Sequence, residues 1–298
     1  MSVTPIDGLL LLMVLIWGGN FTVVKSALQQ LTPLAFNAIR LLVASAVFLA
    51  AISWTGLPRF SRREWAWMAL LGVIGHFVYQ MGFLGGLART TASNSSLILG
   101  CSPVAVALVS AVAGHERIGR GQWAGVFLSV AGIYLVVGTG ARFGGASLVG
   151  DLLTFGAAWC WAIYTVGCRS LLTRYSPLAV TGLTMAVGTL FYLPMAAPDL
   201  ARLEWSHVPM WAWVAVVFSG ILALNVSYLI WYTAVQRIGN LRTSVYSNVT
   251  PVVAMSVAAV VLGEPITIAK IAGAAAILGG VAATRAFSKH PAPIPAEE

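Results

Sequence analysis

Residues 7–25 read DGLLLLMVLIWGGNFTVVK, and residues 151–169 read DLLTFGAAWCWAIYTVGCR. The two stretches align without a gap at a distance of 144 positions. The correspondence continues over residues 7–53 and 151–197, still without a gap. A repeat of this length indicates an internal duplication, so the architecture can be inferred from the repeat before any single residue is interpreted.

The duplication extends through most of the remaining chain. After a loop that is four residues longer in the second copy, residues 63–140 correspond to residues 211–288, now 148 positions apart. We therefore predict two related units, residues 1–142 and residues 143–298.

Each unit contains five apolar stretches, and about 20 apolar residues suffice to cross the hydrocarbon core of a membrane. The ten stretches lie near 7–28, 33–54, 64–87, 91–113, 120–138, 151–171, 177–197, 209–235, 241–262 and 267–286. Because five is an odd number, the second unit should cross the membrane in the opposite direction to the first, as in many secondary transporters. The predicted fold class is an all-α integral membrane protein, with ten transmembrane helices in two inverted five-helix repeats around a central cavity.

Composition and charge placement support a membrane protein. Apolar residues make up 59% of the chain and charged residues 9%, whereas soluble domains contain about 25% charged residues. Of the 17 Lys and Arg residues, eleven fall on the side that would carry both termini, five on the other side, and Arg40 lies inside the second helix. The positive-inside rule then predicts a multi-pass protein of the plasma (inner) membrane with both termini in the cytoplasm. The net charge of +8 is explained by this bias, so nucleic acid is not expected as a partner.

The sequence offers no sign of a cofactor. Cys101, Cys160 and Cys168 all fall within predicted helices, without the pair spacing of a metal site or a disulfide framework. No phosphate-binding loop or nucleotide fingerprint occurs, so we expect no cofactor, no metal and no ATP-driven transport. An integral-membrane enzyme is disfavoured, because no paired carboxylates and no nucleophile with a base lie at membrane depth.

Several motifs resemble the drug/metabolite transporter superfamily, in particular its EamA-type ten-helix branch. They are Trp17-Gly-Gly-Asn-Phe-Thr-Val-Val-Lys25, Phe36-x-x-x-Arg40 and Leu262-Gly-Glu-Pro265, the last echoed by Gly114-His-Glu-Arg117 in the first unit. The resemblance covers essentially the whole chain, and aromatic amino-acid exporters are the members to compare first. It implies a carrier that moves small metabolites, usually outward, by alternating access. The expected partners are a small-molecule substrate and the lipid bilayer, and we expect a monomer.

Polar and aromatic residues form stripes on four predicted helices, at the spacing of a single helical face. Polar groups at this depth would cost several kcal/mol facing lipid. We therefore expect them to line a central aqueous cavity, although hydrogen bonding within a packed bundle would also satisfy them. The candidate substrate-binding residues are Trp17, Asn20, His76, Tyr79, Gln80, Phe83, Trp161, Tyr164, Asn225, Tyr228, Trp231 and Tyr246, together with Arg40.

Two basic groups inside predicted helices have open roles. The guanidinium of Arg40 could hold a substrate carboxylate through two hydrogen bonds, but its long side chain could also reach toward the surface or serve the structure alone. His76 could carry a proton or be an ordinary packing histidine.

Two prolines and two glutamates occupy equivalent positions in the units. Pro103 and Pro251 lie inside the fourth and ninth predicted helices, where a missing amide predicts a kink. These kinks are candidate hinges that open the cavity, or they are static bends. Glu116 and Glu264 precede the fifth and tenth helices, and we expect each carboxylate to stabilise the N-terminus of the helix that follows.

These features favour export of small metabolites, most of all neutral or aromatic amino acids, by alternating access through an aromatic-lined cavity. A broad-specificity exporter of drugs or lipophilic cations is the alternative. Nucleotide-sugar exchange ranks last, because only Arg40 and Lys25 could meet its two phosphates.

Overall fold

The computed structural model describes residues 5–114, 119–138, 146–247 and 249–286. Glu116 lies outside these residues. Within them the structure has helices and no β-strand. The α-helices are α1 (Pro5–Ala27), α2 (Pro33–Thr55), α3 (Arg62–Gly72), α4 (Tyr79–Arg89), α5 (Ala92–Leu99), α6 (Ser102–Val112), α7 (Arg120–Gly138), α8 (Ala146–Leu172), α9 (Pro177–Ala201), α10 (Met210–Val217), α11 (Ser227–Ser247), α12 (Thr250–Leu262) and α13 (Ile268–Ala286).

Seven helical stretches of the described part are long and apolar enough to cross a membrane. Three of them, Arg62–Arg89, Ala92–Val112 and Met210–Arg237, combine consecutive helical elements. Three shorter apolar helices cover Trp123–Val136, Thr250–Leu262 and Ile268–Ala283. The all-helical, multi-span architecture is thus confirmed for the described residues. The count of ten transmembrane helices and the inverted relation of the two units stay predictions.

Local sequence signals explain where several of these helices begin. The side chains of Thr32, Ser61 and Ser176 each accept a hydrogen bond from a backbone amide in the first turn, as helix N-caps do. Pro33 and Pro177 follow two of these caps, at a position where the missing amide costs nothing. The two prolines are 144 positions apart, so both units begin their second helix in the same way.

Helices at equivalent places in the two units pack against each other. Helix α2 lies against α9, where the hydroxyl groups of Ser45 and Thr189 are 2.8 Å apart. These two residues are themselves 144 positions apart. Helix α7 lies against α13, and a Cβ atom at Gly132 would come within 2.8 Å of the carbonyl oxygen of Gly273. Glycine is required there because the two backbones approach so closely.

A π-helical stretch interrupts one long helix in each unit. Residues Val73–Val78 join α3 to α4, and residues Phe218–Val226 join α10 to α11. The two stretches overlap when shifted by 148 positions. π-Helical turns are rare and occur often at functional sites, and no feature of the sequence predicted them.

The helix is broken immediately before each of the two equivalent prolines. Helix α5 ends at Leu99 and α6 begins at Ser102, whose hydroxyl donates to the carbonyl of Leu99 at 2.6 Å. That carbonyl would otherwise lack a partner, because Pro103 has no amide to offer it. In the second unit α11 continues to Ser247, so the eighth and ninth predicted spans are not separated near residues 236–240. The break there falls before Thr250, one residue ahead of Pro251.

Candidate functional site

Five aromatic residues from four helices meet in the interior, and we call them the aromatic cluster. Trp17 comes from α1, Tyr79 from α4, Trp161 from α8, and Tyr228 and Trp231 from α11. The ring of Trp17 lies edge to face against Trp161 and Tyr228, with centroids 6.0 Å apart in both pairs. Trp161 lies 5.6 Å from Tyr79 and 5.4 Å from Tyr228. The aromatic stripes predicted on separate helices therefore converge on one place.

The orientation of Trp17 is fixed by a hydrogen bond to one of the π-helical stretches. Its indole nitrogen donates to the carbonyl oxygen of Ala223 at 3.0 Å, and Ala223 lies within Phe218–Val226. Buried indole groups usually find such a partner. The bond ties α1 of the first unit to the long helix of the second unit at the level of the cluster.

The members of the aromatic cluster differ in how much surface they leave accessible. Trp161, Tyr228 and Trp231 are 8%, 3% and 5% exposed, so they belong to the packed interior. Trp17 and Tyr79 are only partly buried, although each contacts at least two other rings of the cluster or its neighbours. Small-molecule sites are lined largely by apolar and aromatic side chains that keep some accessible surface.

Arg40 sits in a fully buried polar group that we call the arginine cluster, formed by Asn37, Arg40, Gln80 and Ser219. Its guanidinium donates from Nε to Asn37 Oδ1 at 2.8 Å, from Nη1 to Ser219 Oγ at 2.7 Å and from Nη2 to Gln80 Oε1. Arg40 is 1% exposed, so it does not reach toward the surface as a snorkelling side chain would. All three acceptors are uncharged.

His76 belongs to a second polar group, one turn before Gln80 on the same long helix. Its Nε2 lies 3.1 Å from the hydroxyl of Tyr164 and 3.3 Å from that of Thr184, and these hydroxyls are 2.9 Å apart. Thr184 is the repeat counterpart of Arg40. His76 is fully buried. The ring of Tyr164 packs against the helix that carries His76, because Gly75 on that helix has no side chain to displace the ring.

The remaining interior candidates surround these groups. Asn225 donates from Nδ2 to the carbonyl oxygen of Ala44 at 2.9 Å, and the side-chain oxygen atoms of Asn20 and Asn225 are buried without a hydrogen-bond donor. Phe83 stacks on Tyr79 with centroids 5.9 Å apart and meets Phe21 at 5.6 Å.

Tyr246 lies apart from the other candidates. Its hydroxyl donates to Asp7 Oδ1 at 2.6 Å, at the beginning of α1. Tyr246 is 15 residues beyond Trp231 on the same helix, which is roughly 22 Å of helix length. Trp159, two positions from Trp161, packs against Phe155 at 6.3 Å and is not part of the aromatic cluster.

A network of charged groups holds the beginning of α5. The ammonium group of Lys25 donates to the carbonyl oxygen atoms of Leu87 and Thr90 at 2.7 and 2.6 Å. The carboxylate of Glu264 accepts from the backbone amides of Ala92 and Ser93 at 2.7 and 3.0 Å. Each charge has the sign that its helix end favours.

The predicted partner of Glu264 was therefore wrong. Glu264 stabilises the N-terminus of α5 in the first unit and not that of α13, which it precedes. The beginning of α13 is served by Thr267, whose hydroxyl accepts from the amide of Lys270 at 3.2 Å. At the same end of the molecule Thr90 donates to Asp151 Oδ1, which is the repeat counterpart of Asp7. The carboxylates of Asp7 and Asp151 thus each tie the beginning of one helix to a neighbouring segment.

A surface crevice of about 410 Å³ lies elsewhere, beside the loop after α9. Gln30, Thr32, Asp199, Arg202 and Glu204 are among the residues that line it. None of the predicted site residues borders it, so it is distinct from the aromatic cluster.

Sequence reasoning missed Asn37, Ser219 and Thr184 as partners of the predicted residues. Asn37 could have been found, because it lies one helical turn before Arg40. Ser219 and Thr184 come from helices distant in the sequence, and a single sequence does not show such pairings. Among the described residues there is no group of three or more His, Cys, Asp or Glu side chains that could hold a metal ion.

The helical architecture and the apolar spans indicate a multi-pass membrane protein, and its interior contains buried polar and aromatic groups. The EamA-like transporter family matches residues 4–138 and again residues 148–285. The chain belongs to this family, as its motifs predicted, and is a membrane transporter of the drug/metabolite type. Membership in a family of transporters also agrees with the expectation that the chain is not an enzyme.

Individual relatives are similar over most of the chain. An uncharacterized transporter of Archaeoglobus fulgidus is 33% identical over 82% of this chain and 84% of its own length. A probable terminal-alkyne amino-acid exporter of Streptantibioticus cattleyicolor is 30% identical over 91% and 90%. A probable amino-acid metabolite efflux pump of Salmonella typhimurium is 27% identical over 92% and 93%. One crystal structure shares the fold with a TM-score of 0.67 and 23% identity, over 95% of this chain and 96% of that chain.

Proposed function

We propose that this protein exports small metabolites, most of all neutral and aromatic amino acids, and that the aromatic cluster is its substrate site. In this proposal the protein works as a monomer in the plasma (inner) membrane, with both termini in the cytoplasm. The substrate reaches the site from one side and leaves it to the other by alternating access.

The observation that carries the proposal is the meeting of Trp17, Tyr79, Trp161, Tyr228 and Trp231. Edge-to-face and tilted ring contacts at 5.4 to 6.0 Å leave faces and edges that a further aromatic or apolar group can join. Because these rings come from helices of both units, a movement of one unit against the other would change the shape of the site.

The names of two relatives support amino acids as cargo. The Streptantibioticus protein is a probable terminal-alkyne amino-acid exporter, and the Salmonella protein is a probable amino-acid metabolite efflux pump. At 30% and 27% identity they favour this substrate class without specifying which amino acid is carried.

The broken helices offer a route for alternating access. A Cβ atom at Gly100 would lie 2.8 Å from the ring of Pro251, so the break of the first unit packs against the break of the second unit. Pro103 and Pro251 are the proposed hinges, because the regular α-helix is interrupted just before each of them. Such a movement would exchange two sets of contacts. At one end these are the hydrogen bonds of Lys25 and Glu264, and at the other end it is the hydrogen bond between Tyr246 and Asp7.

Export of lipophilic cations is the second candidate, and the aromatic cluster is the observation that favours it. Aromatic rings attract cations through their electron-rich faces. The guanidinium of Arg40 counts against this cargo, because it places a positive charge within 5.9 Å of Phe83, whose ring stacks on Tyr79.

Counterflow in liposomes containing the purified protein tests the two candidates. Labelled L-phenylalanine outside should accumulate transiently when the liposomes contain unlabelled L-phenylalanine, and tetraphenylphosphonium should not exchange. Exchange of tetraphenylphosphonium without exchange of any amino acid in a panel of neutral and aromatic ones would replace the first candidate by the second.

A further inference from the structure

Arg40 is a buried cation without a charged partner among the described residues. The ion pairs found in this part of the chain are Arg174 with Glu64 and His207 with Glu204, and neither involves Arg40. A charge removed from water and left unpaired is costly, and in a transmembrane segment it usually marks a functional site. The three neutral acceptors around the guanidinium offset only part of this cost.

The arginine cluster contains more hydrogen-bond donors than acceptors. A guanidinium has five N–H groups, and three of them donate to Asn37, Ser219 and Gln80. The amide nitrogen atom of Gln80 is also buried without an acceptor. Turning either amide over would place its N–H groups against those of Arg40, so the side-chain oxygen must face the arginine. The surplus donors and the positive charge together favour an acceptor that carries negative charge.

A carboxylate meets this requirement closely. Its two oxygen atoms offer about four acceptor sites and no donor, and a guanidinium can hold both oxygen atoms through two parallel hydrogen bonds. The amide group of Gln80, which lacks an acceptor, could donate to the same carboxylate.

The position of the arginine cluster links it to the aromatic cluster. The guanidinium of Arg40 lies 5.9 Å from the ring of Phe83, which stacks on Tyr79 with centroids 5.9 Å apart. Tyr79 in turn lies 5.6 Å from Trp161. A carboxylate held by Arg40 and Gln80 would therefore place the rest of the ligand next to the partly exposed ring of Tyr79. Ser219 lies within one π-helical stretch, and Gln80 lies two residues after the other. A change in these turns would move both partners of Arg40 and admit the ligand.

We infer that Arg40 and Gln80 form a carboxylate-binding subsite, so that the transported solute is an acid with an apolar or aromatic body. The inference rests on the proposed function and assigns the substrate class: amino acids with a free carboxylate, and neither their amides nor simple amines. Asn225 offers an unpaired acceptor, in contrast to the unpaired donors around Arg40. Its Nδ2 donates to the carbonyl oxygen of Ala44, and its Oδ1 has no donor. An ammonium group of the same substrate could donate to that oxygen atom.

Ligand-induced stabilisation separates this inference from the proposed function. The melting temperature of the purified full chain is measured with 3-phenylpropanoate and with 3-phenylpropanamide, two probes that differ only in the carboxylate and lack the ammonium group of an amino acid. The acid should stabilise the wild type at concentrations at least about tenfold lower than those needed for the amide. The reason is that the amide cannot form the charge-assisted pair of hydrogen bonds. Equal stabilisation of the wild type by both probes overturns the inference.

Two variants and one control complete the experiment. Arg40→Lys should abolish the preference for the acid, because a point charge replaces the planar fork. Arg89→Lys, which changes an exposed arginine bonded to its own helix, should keep the preference. Gln80→Glu places a permanent carboxylate beside Arg40, so it should raise the melting temperature without ligand and remove the response to the acid. If Arg40→Lys does not fold, the comparison of probes on the wild type and Gln80→Glu decides.

The failure of the proposed function has a different outcome. If 3-phenylpropanoate binds with the predicted preference and no amino acid exchanges in liposomes, the carboxylate subsite stands and amino-acid export fails. If amino acids and their amides exchange at equal rates, export stands and the subsite fails.

Discussion

The indole rings of Trp17 and Trp161 meet edge to face with centroids 6.0 Å apart, and the two residues occupy equivalent positions of the duplicated sequence. Both begin a helical stripe of polar and aromatic residues, and both contact Tyr228 of the second unit. Equivalent residues that touch each other must lie close to any axis that relates the two units. The aromatic cluster therefore lies where the two units meet, which is the place expected for the substrate site of a duplicated transporter.

The first prediction concerns orientation in the membrane. Helix α9 should separate Arg174, ahead of its beginning, from Arg202, just after its end. Single cysteines at these positions, in a chain with Cys101, Cys160 and Cys168 replaced by alanine, should react differently with a reagent that does not cross membranes. Arg174→Cys should be labelled only from the cytoplasm and Arg202→Cys only from outside. Labelling of both from the same face would remove the basis for the predicted topology.

The second prediction concerns the contact between α7 and α13. Gly132→Ala should lower the melting temperature, since its Cβ atom would lie 2.8 Å from the carbonyl of Gly273 and from Ile277. Gly156→Ala is a matched control within a helix, because nothing lies within 4 Å of a Cβ atom there. The control should be neutral or stabilising by up to about 1 kcal/mol, which is the helix preference of alanine over glycine. Equal effects of the two substitutions would show that α7 and α13 do not pack as described.

The third prediction concerns the charged cap of α5. Glu264→Gln keeps the shape of the side chain but removes the charge that faces the amides of Ala92 and Ser93. We expect a loss of about 1 kcal/mol in stability, measured by thermal unfolding. Glu204→Gln is the control, because its partner His207 is exposed on the surface and such pairs contribute little. An unchanged melting temperature in Glu264→Gln would mean that the cap does not hold α5.

Much of the interior was predictable because helical spacing alone decides which residues share a face. Trp17 with Asn20, and Tyr228 with Trp231, are one turn apart, so each pair had to point in one direction. The same rule explains why Trp159 lies away from the cluster, since two positions along a helix turn the side chain by roughly 200°. The repeat then predicted that the stripes of the two units belong together.

Other features depend on contacts between distant segments, which spacing within one helix does not determine. Glu264 caps α5 and not the helix that follows it, because α12, which ends just before Glu264, packs against α5 of the first unit. Tyr246 shares a helix with Trp231 but lies several turns further on. The sequence predicted that a loop near residues 236–240 would separate the two residues, whereas α11 is continuous there. The π-helical stretches carry no pattern of their own in the sequence, although they place Ser219 and Ala223 where Arg40 and Trp17 meet them.

The burial of the cluster decides which substitutions can test it. Trp161, Tyr228 and Trp231 are at most 8% exposed, so replacing them by alanine would destabilise the protein by several kcal/mol whatever its function. Trp17 and Tyr79 keep accessible surface. They are the positions at which an effect on transport can be separated from an effect on folding.

The most direct test of the central claim is the initial rate of L-phenylalanine counterflow in liposomes containing wild type, Trp17→Ala, Tyr79→Ala or Trp65→Ala. Trp65 is a tryptophan near the beginning of α3, is 39% exposed, and serves as the control. If the aromatic cluster binds the substrate, Trp17→Ala and Tyr79→Ala should each slow counterflow about tenfold, the loss expected for one good aromatic contact. Trp65→Ala should keep the wild-type rate. Rates that fall equally in all three variants, or only in proportion to their melting temperatures, would contradict the account.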